Sequence, residues 1–377
     1  MIYFVIGLLF MKTKIIANYL PQFHEITENN KWWGKGYTDW VAVKKSKPLF
    51  DGHDQPRIPL NGYYDLLSKD VIKKQACEAK QAGIYGFGIY HYWFSSKLKL
   101  LEKPAEIIED NKDIDISYMF IWDNCSWKRT WSNVKRGNDW APEFDSKDDK
   151  NESGMLAELI YGSEEDWEIH FNYLLKFFND SRYIKKDNKP LFAFFQPDNN
   201  FNVIRKMCDY WDKRAIECGF NGICFISKKN YKGNELDFSF KYEPFSTDTV
   251  VKVWKARIRN LANRIKPSLK ISYYDRVWKE IINSAKKCKS KRVFYGAMVG
   301  FDDSPRRGTK GRIILGQTPE KFYDYMKQLL EISKRQEKEF VFLTAWNEWG
   351  EGAYLEPDTK NGYAYLNALK KAVESVE

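Results

Sequence analysis

The sequence predicts a (β/α)8 barrel with long βα-loop insertions, and three observations carry that prediction. Eight short runs of apolar, β-branched and aromatic residues alternate with segments of helical periodicity. The runs are apolar on both faces, as strands are when a parallel sheet is covered by helices. Polar and aromatic residues crowd the ends of seven of the eight runs, where barrel enzymes hold their reactive groups.

The predicted strands fall at 14–20, 85–92, 116–122, 191–196, 222–227, 237–242, 292–299 and 340–346. Amphipathic segments follow at 71–82, 103–110, 164–178, 203–218, 250–265, 276–287, 319–336 and 362–376, each long enough to cover a strand pair. Two stretches read as polar loops. One spans 21–65 and is rich in Trp, Gly and Pro; the other, 133–154, carries six acids from Asp139 to Glu152. Residues 1–13 read as an N-terminal extension and 14–377 as a single catalytic domain. The apolar start, MIYFVIGLLF, is shorter than the ~20 residues a membrane span needs. It also lacks the basic flank and small-residue cleavage site of a secretory signal. A cytoplasmic location is expected.

Composition narrows the classes. Of 377 residues, 43% are hydrophobic and 30% charged, which excludes an intrinsically disordered chain. Six cysteines without a Cys-x-x-Cys pair exclude a disulfide scaffold and a zinc knuckle. The four histidines form no His-Glu-x-x-His helix, so no metal or other cofactor is expected. Aromatic residues reach 16%, with 14 Trp, enough to line a planar-face site as well as a core. The net charge of +10 is concentrated at 252–292, where fourteen Lys and Arg face only Asp275 and Glu280. Two readings of that segment stand: a solvated helix face over an apolar stripe packed on the barrel, or a docking face for anionic lipid at the inner leaflet. Nucleic acid is not expected as a partner, because no recognised binding motif accompanies the charge.

The sharpest chemical signal is Trp346-Asn347-Glu348-Trp349-Gly350-Glu351-Gly352 after the eighth strand. Two carboxylates three residues apart on a glycine-relieved turn can face one ligand, and their mutual repulsion raises one pKa. An acid beside an ionised base is what glycosidic bond cleavage or formation requires. The flanking tryptophans offer apolar platforms for a sugar ring. Candidate substrate-binding residues at the other strand ends are Tyr19, Gln22, His24, Trp33 and Trp40 after the first. His91, Tyr92 and Trp93 follow on the second, then Trp122, Asp123 and Asn124 on the third and Asp302 on the seventh. Trp346, Asn347 and Trp349 complete the set on the eighth. An oligosaccharide or polysaccharide is the expected substrate.

These residues carry a resemblance. Tyr19-Leu20-Pro21-Gln22-Phe23-His24, Trp32-Trp33-Gly34-Lys35-Gly36-Tyr37-Thr38-Asp39-Trp40, Tyr90-His91-Tyr92-Trp93-Phe94, Gly300-Phe301-Asp302 with Arg306-Arg307, and the strand-eight segment with Tyr354-Leu355-Glu356-Pro357 form an ordered set. The chain resembles the WbsX-type family of bacterial polysaccharide-biosynthesis proteins, related to glycoside hydrolase family 99. The resemblance implies a retaining carbohydrate-active barrel enzyme with Glu351 as general acid/base. It implies that Glu348 deprotonates the sugar 2-hydroxyl, which attacks the anomeric carbon to give a 1,2-anhydro intermediate. In many such sequences the third strand ends in Trp-Ala-Asn-Glu-Asn-Trp, whereas here Cys125 stands at the Glu position. Altered specificity, use of Asp123 instead, or loss of activity would each follow from that change. Two alternatives therefore accompany the main reading. They are a nucleotide-sugar-dependent glycosyltransferase of lipopolysaccharide biosynthesis and a catalytically inactive glycan-binding protein.

Overall fold

The architecture is that of a computed structural model, which describes residues 12–128, 154–196, 200–228, 236–248 and 269–376. Eight parallel strands run in chain order around a closed barrel. They are β1 (Lys14–Tyr19), β2 (Ile84–Ser95), β3 (Ser117–Trp122), β4 (Lys189–Phe194), β5 (Cys224–Ser227), β6 (Phe238–Phe240), β7 (Val293–Met298) and β8 (Phe340–Thr344). Each pairs with the next, and β1 pairs with both β2 and β8, so no edge is left open. Lys14 lies in register with Phe340 and Ile15 with Ile84, which places the carboxyl ends of first and last strands side by side. All eight predicted runs form these strands.

Outside the barrel lie α1 (Lys69–Gln81), α2 (Lys103–Asp110), α3 (Glu164–Asn179), α4 (Phe201–Glu217), α5 (Tyr274–Lys287), α6 (Pro319–Arg335) and α7 (Ala364–Glu374). Their starts follow capping chemistry. Ser163 and Asp166 form a reciprocal capping box at α3, and Thr318 accepts the Lys321 N–H at α6, with Pro319 in the first turn. Each helix buries an apolar stripe; α5 does so through Val277, Trp278, Ile281 and Ile282 while Arg276, Lys279, Lys286 and Lys287 stay exposed. The described part of the basic segment is thus a cationic helix face over a packed apolar stripe. The predicted helix at 250–265 and nearly all of the acidic loop at 133–154 lie outside the described residues. So does the extension up to residue 11. No helix among the described residues is long and apolar enough to cross a membrane.

One expectation is corrected. The stretch 21–65 is not all loop: it folds two short helices, Thr27–Trp33 and Trp40–Lys45, over the barrel mouth. Buried Trp33, Tyr37, Trp40 and Val43 supply the apolar contact that holds them there.

Candidate active site

The site is built on the turn that follows β8. Asn347 clamps it to the end of β1, accepting the Leu20 N–H at 2.8 Å and donating to the Leu20 carbonyl at 3.0 Å. Asn347–Glu348 then pairs antiparallel with Ala353–Tyr354, and a single 3-10 turn, Trp349–Glu351, closes the hairpin. The Glu351 N–H donates to the Glu348 carboxylate at 3.2 Å, so the turn geometry itself fixes the pair. Behind it, Trp349 stacks on Tyr354 at 3.7 Å and donates its indole N–H to Glu356, which also accepts from Tyr64 and Gln75. Two glycines are required for local reasons. A Cβ at Gly350 would lie 2.5 Å from the Arg306 guanidinium, and Gly352 takes φ +56°.

Arg306, from the short helix Ser304–Arg307 after β7, organises the charges. Its Nη2 lies 3.1 Å from Glu348 and 2.6 Å from Asp39, and its Nη1 donates to Glu351 at 3.2 Å. One guanidinium therefore holds three carboxylates, two of them from the same turn. Asp302 anchors the start of this loop: it accepts from Gln55 at 2.8 Å and from His53 at 2.9 Å, with Arg57 3.5 Å away. The His53 Nδ1 accepts the Leu49 N–H, so its Nε2 carries the proton given to Asp302. Burial would raise the Asp302 carboxyl, but Arg57 and the bonds from Ser304, His53 and Gln55 outweigh it and hold it low.

The carboxylate pair behaves oppositely. Burial pushes both Glu348 and Glu351 up; Arg306 pulls each down without cancelling that shift. Glu351 adds repulsion at Glu348, and Asp303 does so at Glu351. The two titrate as a pair. Their access differs: the Glu348 side chain is 6% exposed and that of Glu351 21%, which makes Glu351 the carboxyl nearer the open space.

That space is a cavity of about 380 Å3, lined by Glu348, Glu351, Arg306 and Asp39. Gln22, Trp33, Tyr37, Tyr92, Asp123 and Trp127 also line it, with Tyr90, Phe195 and Tyr242 forming an aromatic wall. Gln22 donates to the Tyr92 hydroxyl at 3.1 Å. Burial pushes Asp123 up to about 6, against the pull of a hydrogen bond from the Cys125 thiol and of Lys228.

Of the sequence-predicted residues, the cavity thus collects Glu348, Glu351, Gln22, Trp33, Tyr92 and Asp123. The other predicted binding residues do not line it. His91 and Trp93 flank Tyr92 on β2, and side chains alternate between the two faces of a strand. They pack outward onto α3, where His91 Nε2 lies 2.8 Å from His170 Nε2 and Trp93 stacks on His170 at 4.1 Å. Trp122 faces outward for the same reason, against His170 and Trp211, while its neighbour Asp123 faces in. Tyr19 donates to Gln75 on α1. Trp40 packs between Phe23 and Trp349, and Trp346 is buried against Phe87. His24 is buried away from the cavity, and burial lowers its pKa. Asn124 bonds Tyr161 and the Gln196 backbone, while Asn347, Trp349 and Asp302 hold the turns that carry the site. His24 and His91 do not converge, and no group of three metal-ligating side chains occurs among the described residues.

Sequence reasoning missed the role of Arg306, Asp39 and the aromatic wall. The signal for Arg306 was present in Asp302-Asp303-Ser304-Pro305-Arg306-Arg307, a doubled arginine just beyond a barrel strand.

A parallel barrel that gathers two carboxylates, a guanidinium and aromatic rings at one end has the form of a site suited to glycosyl-bond chemistry. The chain belongs to the family described as "Glycosyltransferase WbsX", whose model matches residues 15–369. It is 29% identical over 373 residues to the uncharacterized protein WxcX of Xanthomonas campestris pv. campestris, covering 95% of this chain and 49% of that protein. The chain thus spans about half the length of the curated relatives it matches. Two structures of the GH99 endo-alpha-mannosidase from Bacteroides thetaiotaomicron share the fold. They have TM-scores of 0.53 and 0.54, identities of 14% and 13%, and 96% of both chains covered.

Proposed function

We propose that this chain cleaves or transfers a glycosidic bond in a bacterial surface polysaccharide, of O-antigen or capsule type, with retention of configuration. The barrel over 14–377 acts as one catalytic domain. Glu351 is the general acid/base and Glu348 the base that assists the sugar 2-hydroxyl. In the first step the 2-hydroxyl oxygen attacks the anomeric carbon as Glu348 takes its proton, and the glycosidic oxygen departs with the proton of Glu351. Water or an acceptor hydroxyl then opens the 1,2-anhydro ring at the anomeric carbon. It gives its proton to Glu351, while Glu348 returns a proton to the sugar oxygen. Two displacements at one carbon give net retention.

The observation that carries this reading is the Arg306 guanidinium joined to both carboxylates in an aromatic-lined cavity. A carboxyl raised by burial is a stronger base than an ordinary glutamate, which suits Glu348 for a weakly acidic hydroxyl. The greater exposure of Glu351 suits it to meet a leaving group and then water. Asp123, in the cavity and bonded by the Cys125 thiol, supplies a carboxyl two positions from where many family sequences carry Glu, which favours an active enzyme over an inert binder. The basic segment 252–292 would hold the protein at an anionic inner leaflet.

The test is product stereochemistry. Manno-configured oligosaccharides are incubated with the enzyme, and the first-formed anomer is read by proton NMR before mutarotation. The retained anomer is expected. The inverted anomer, or release of a nucleoside diphosphate from a sugar donor with no action on oligosaccharides, would overturn the proposal.

A further inference from the structure

Beyond Glu351 the catalytic cavity adjoins a second hollow of about 110 Å3, whose lining includes Lys270, Arg307, Lys310 and Arg312 against the acids Asp303 and Glu351. Glu351 and Arg307 line both spaces, so a ligand reaching from one into the other passes the Glu351 carboxyl. The fold builds this cluster deliberately. The strand Lys270–Tyr273 pairs in parallel with Arg312–Leu315, which sets Lys270 and Arg312 in register beside each other. Neighbouring cations across a ladder repel, and the arrangement gains when an anion lies between them.

The two acids are already engaged. Asp303 holds Arg307 Nε at 3.2 Å and accepts the Arg312 N–H, while Glu351 shares Arg306. Among the described residues, the lining of the hollow holds four cations and two acids. The turn Gly308–Lys310 stands on Asp303: a Cβ at Gly311 would meet that carboxylate at 2.8 Å. Arg312 also lies 5.7 Å over the Phe245 ring, which fixes its guanidinium against a wall of the main cavity. Planar guanidinium groups held at the border of a partly desolvated cavity match the forked oxygens of carboxylate and phosphate.

We propose that this hollow is an anion subsite, taking a carboxylate or phosphate oxyanion carried on the part of the substrate that departs with the Glu351 proton. Anion binding there stands on the geometry alone; its place on the departing side rests on Glu351 acting as the acid. The oxyanion has two chemical sources, a uronate residue of an acidic polysaccharide or the diphosphate of an activated sugar donor.

The experiment uses the full chain at fixed ionic strength. Titration calorimetry measures binding of glucuronate, inorganic phosphate and inorganic pyrophosphate to wild type, to Lys310→Gln/Arg312→Gln, and to Lys310→Gln alone. Lys310 is exposed, so its single variant tests the idea even where the double variant fails to fold. At least one anion is expected to bind wild type, about tenfold more weakly to the double variant and a few-fold more weakly to the single. Preference for pyrophosphate identifies an activated donor, and preference for glucuronate an acidic polysaccharide. Absence of binding by all three anions, or equal affinity in the variants, overturns the subsite. That result leaves the glycosidic reading intact, because the reading is tested by turnover and stereochemistry on neutral oligosaccharides.

Discussion

The Arg306 guanidinium sits 3.1 Å from the Glu348 carboxylate, with the Arg306 side chain 5% exposed. It is the cation that offsets the burial of both glutamates, and its removal would leave three carboxylates facing one another. Arg306→Gln should raise both glutamates further. A carboxyl raised further needs a higher pH to become a base, so the acidic limb of kcat/KM moves up. Turnover at pH 7 should fall by about 10² to 10³, and stability by about 3–5 kcal/mol, the range for breaking a buried ion pair. A pH–rate profile and a urea titration check both. An unmoved acidic limb would contradict the assignment.

Asp123 makes a second prediction. Burial raises it to about 6, so in the free enzyme it loses its proton as pH rises through that value. Asp123→Asn should remove an apparent pKa near 6 from the kcat/KM profile and lower kcat/KM by about tenfold, the loss expected of one hydrogen bond from a charged cavity carboxyl to the bound sugar. Cys125→Ser keeps a hydrogen-bond donor to Asp123 and should retain most activity. A profile unchanged in Asp123→Asn would show that this carboxyl does not act on the bound substrate.

The His91–His170 pair predicts a pH-dependent stability. Burial drives His91 down to about 3 and lowers His170 as well, and two nitrogens 2.8 Å apart share one proton between them. Both histidines are neutral when folded, whereas the unfolded chain protonates them near pH 6.5. Their contribution is therefore full above pH 6.5 and is lost as pH falls below it, by about 1.4 kcal/mol per histidine per pH unit. Buried carboxyls with raised pKa act in the opposite direction, so the pair is isolated by difference. Between pH 7.5 and 5.5, wild type should lose about 3 kcal/mol more than His91→Phe/His170→Phe. Equal losses would show that the pair does not titrate as assigned.

For the basic segment, co-sedimentation with vesicles should rise with anionic lipid content and fall as salt is added. Sedimentation that ignores anionic lipid would assign 252–292 to a solvated face alone.

The barrel was legible because burial on both faces writes itself into eight continuous apolar runs, and the Glu348–Glu351 turn because its residues adjoin in sequence. The orientation of single side chains was harder. Tyr90-His91-Tyr92-Trp93 reads as one aromatic cluster, yet the strand period sends Tyr90 and Tyr92 into the cavity and His91 and Trp93 under α3. The same alternation separates Trp122 from Asp123. Arg306 was hidden for another reason: its partners Asp39 and Glu348 lie hundreds of residues away or on another strand, and only barrel closure brings them together.

The most direct measurement compares Glu348→Gln and Glu351→Gln with wild type on one oligosaccharide substrate, following turnover and Kd together. The account predicts that each variant loses turnover by about 10³ or more while Kd changes by no more than a few-fold, since the amide keeps the shape and loses the proton. Either variant retaining near-wild-type turnover would contradict the claim that these two carboxyls carry the chemistry.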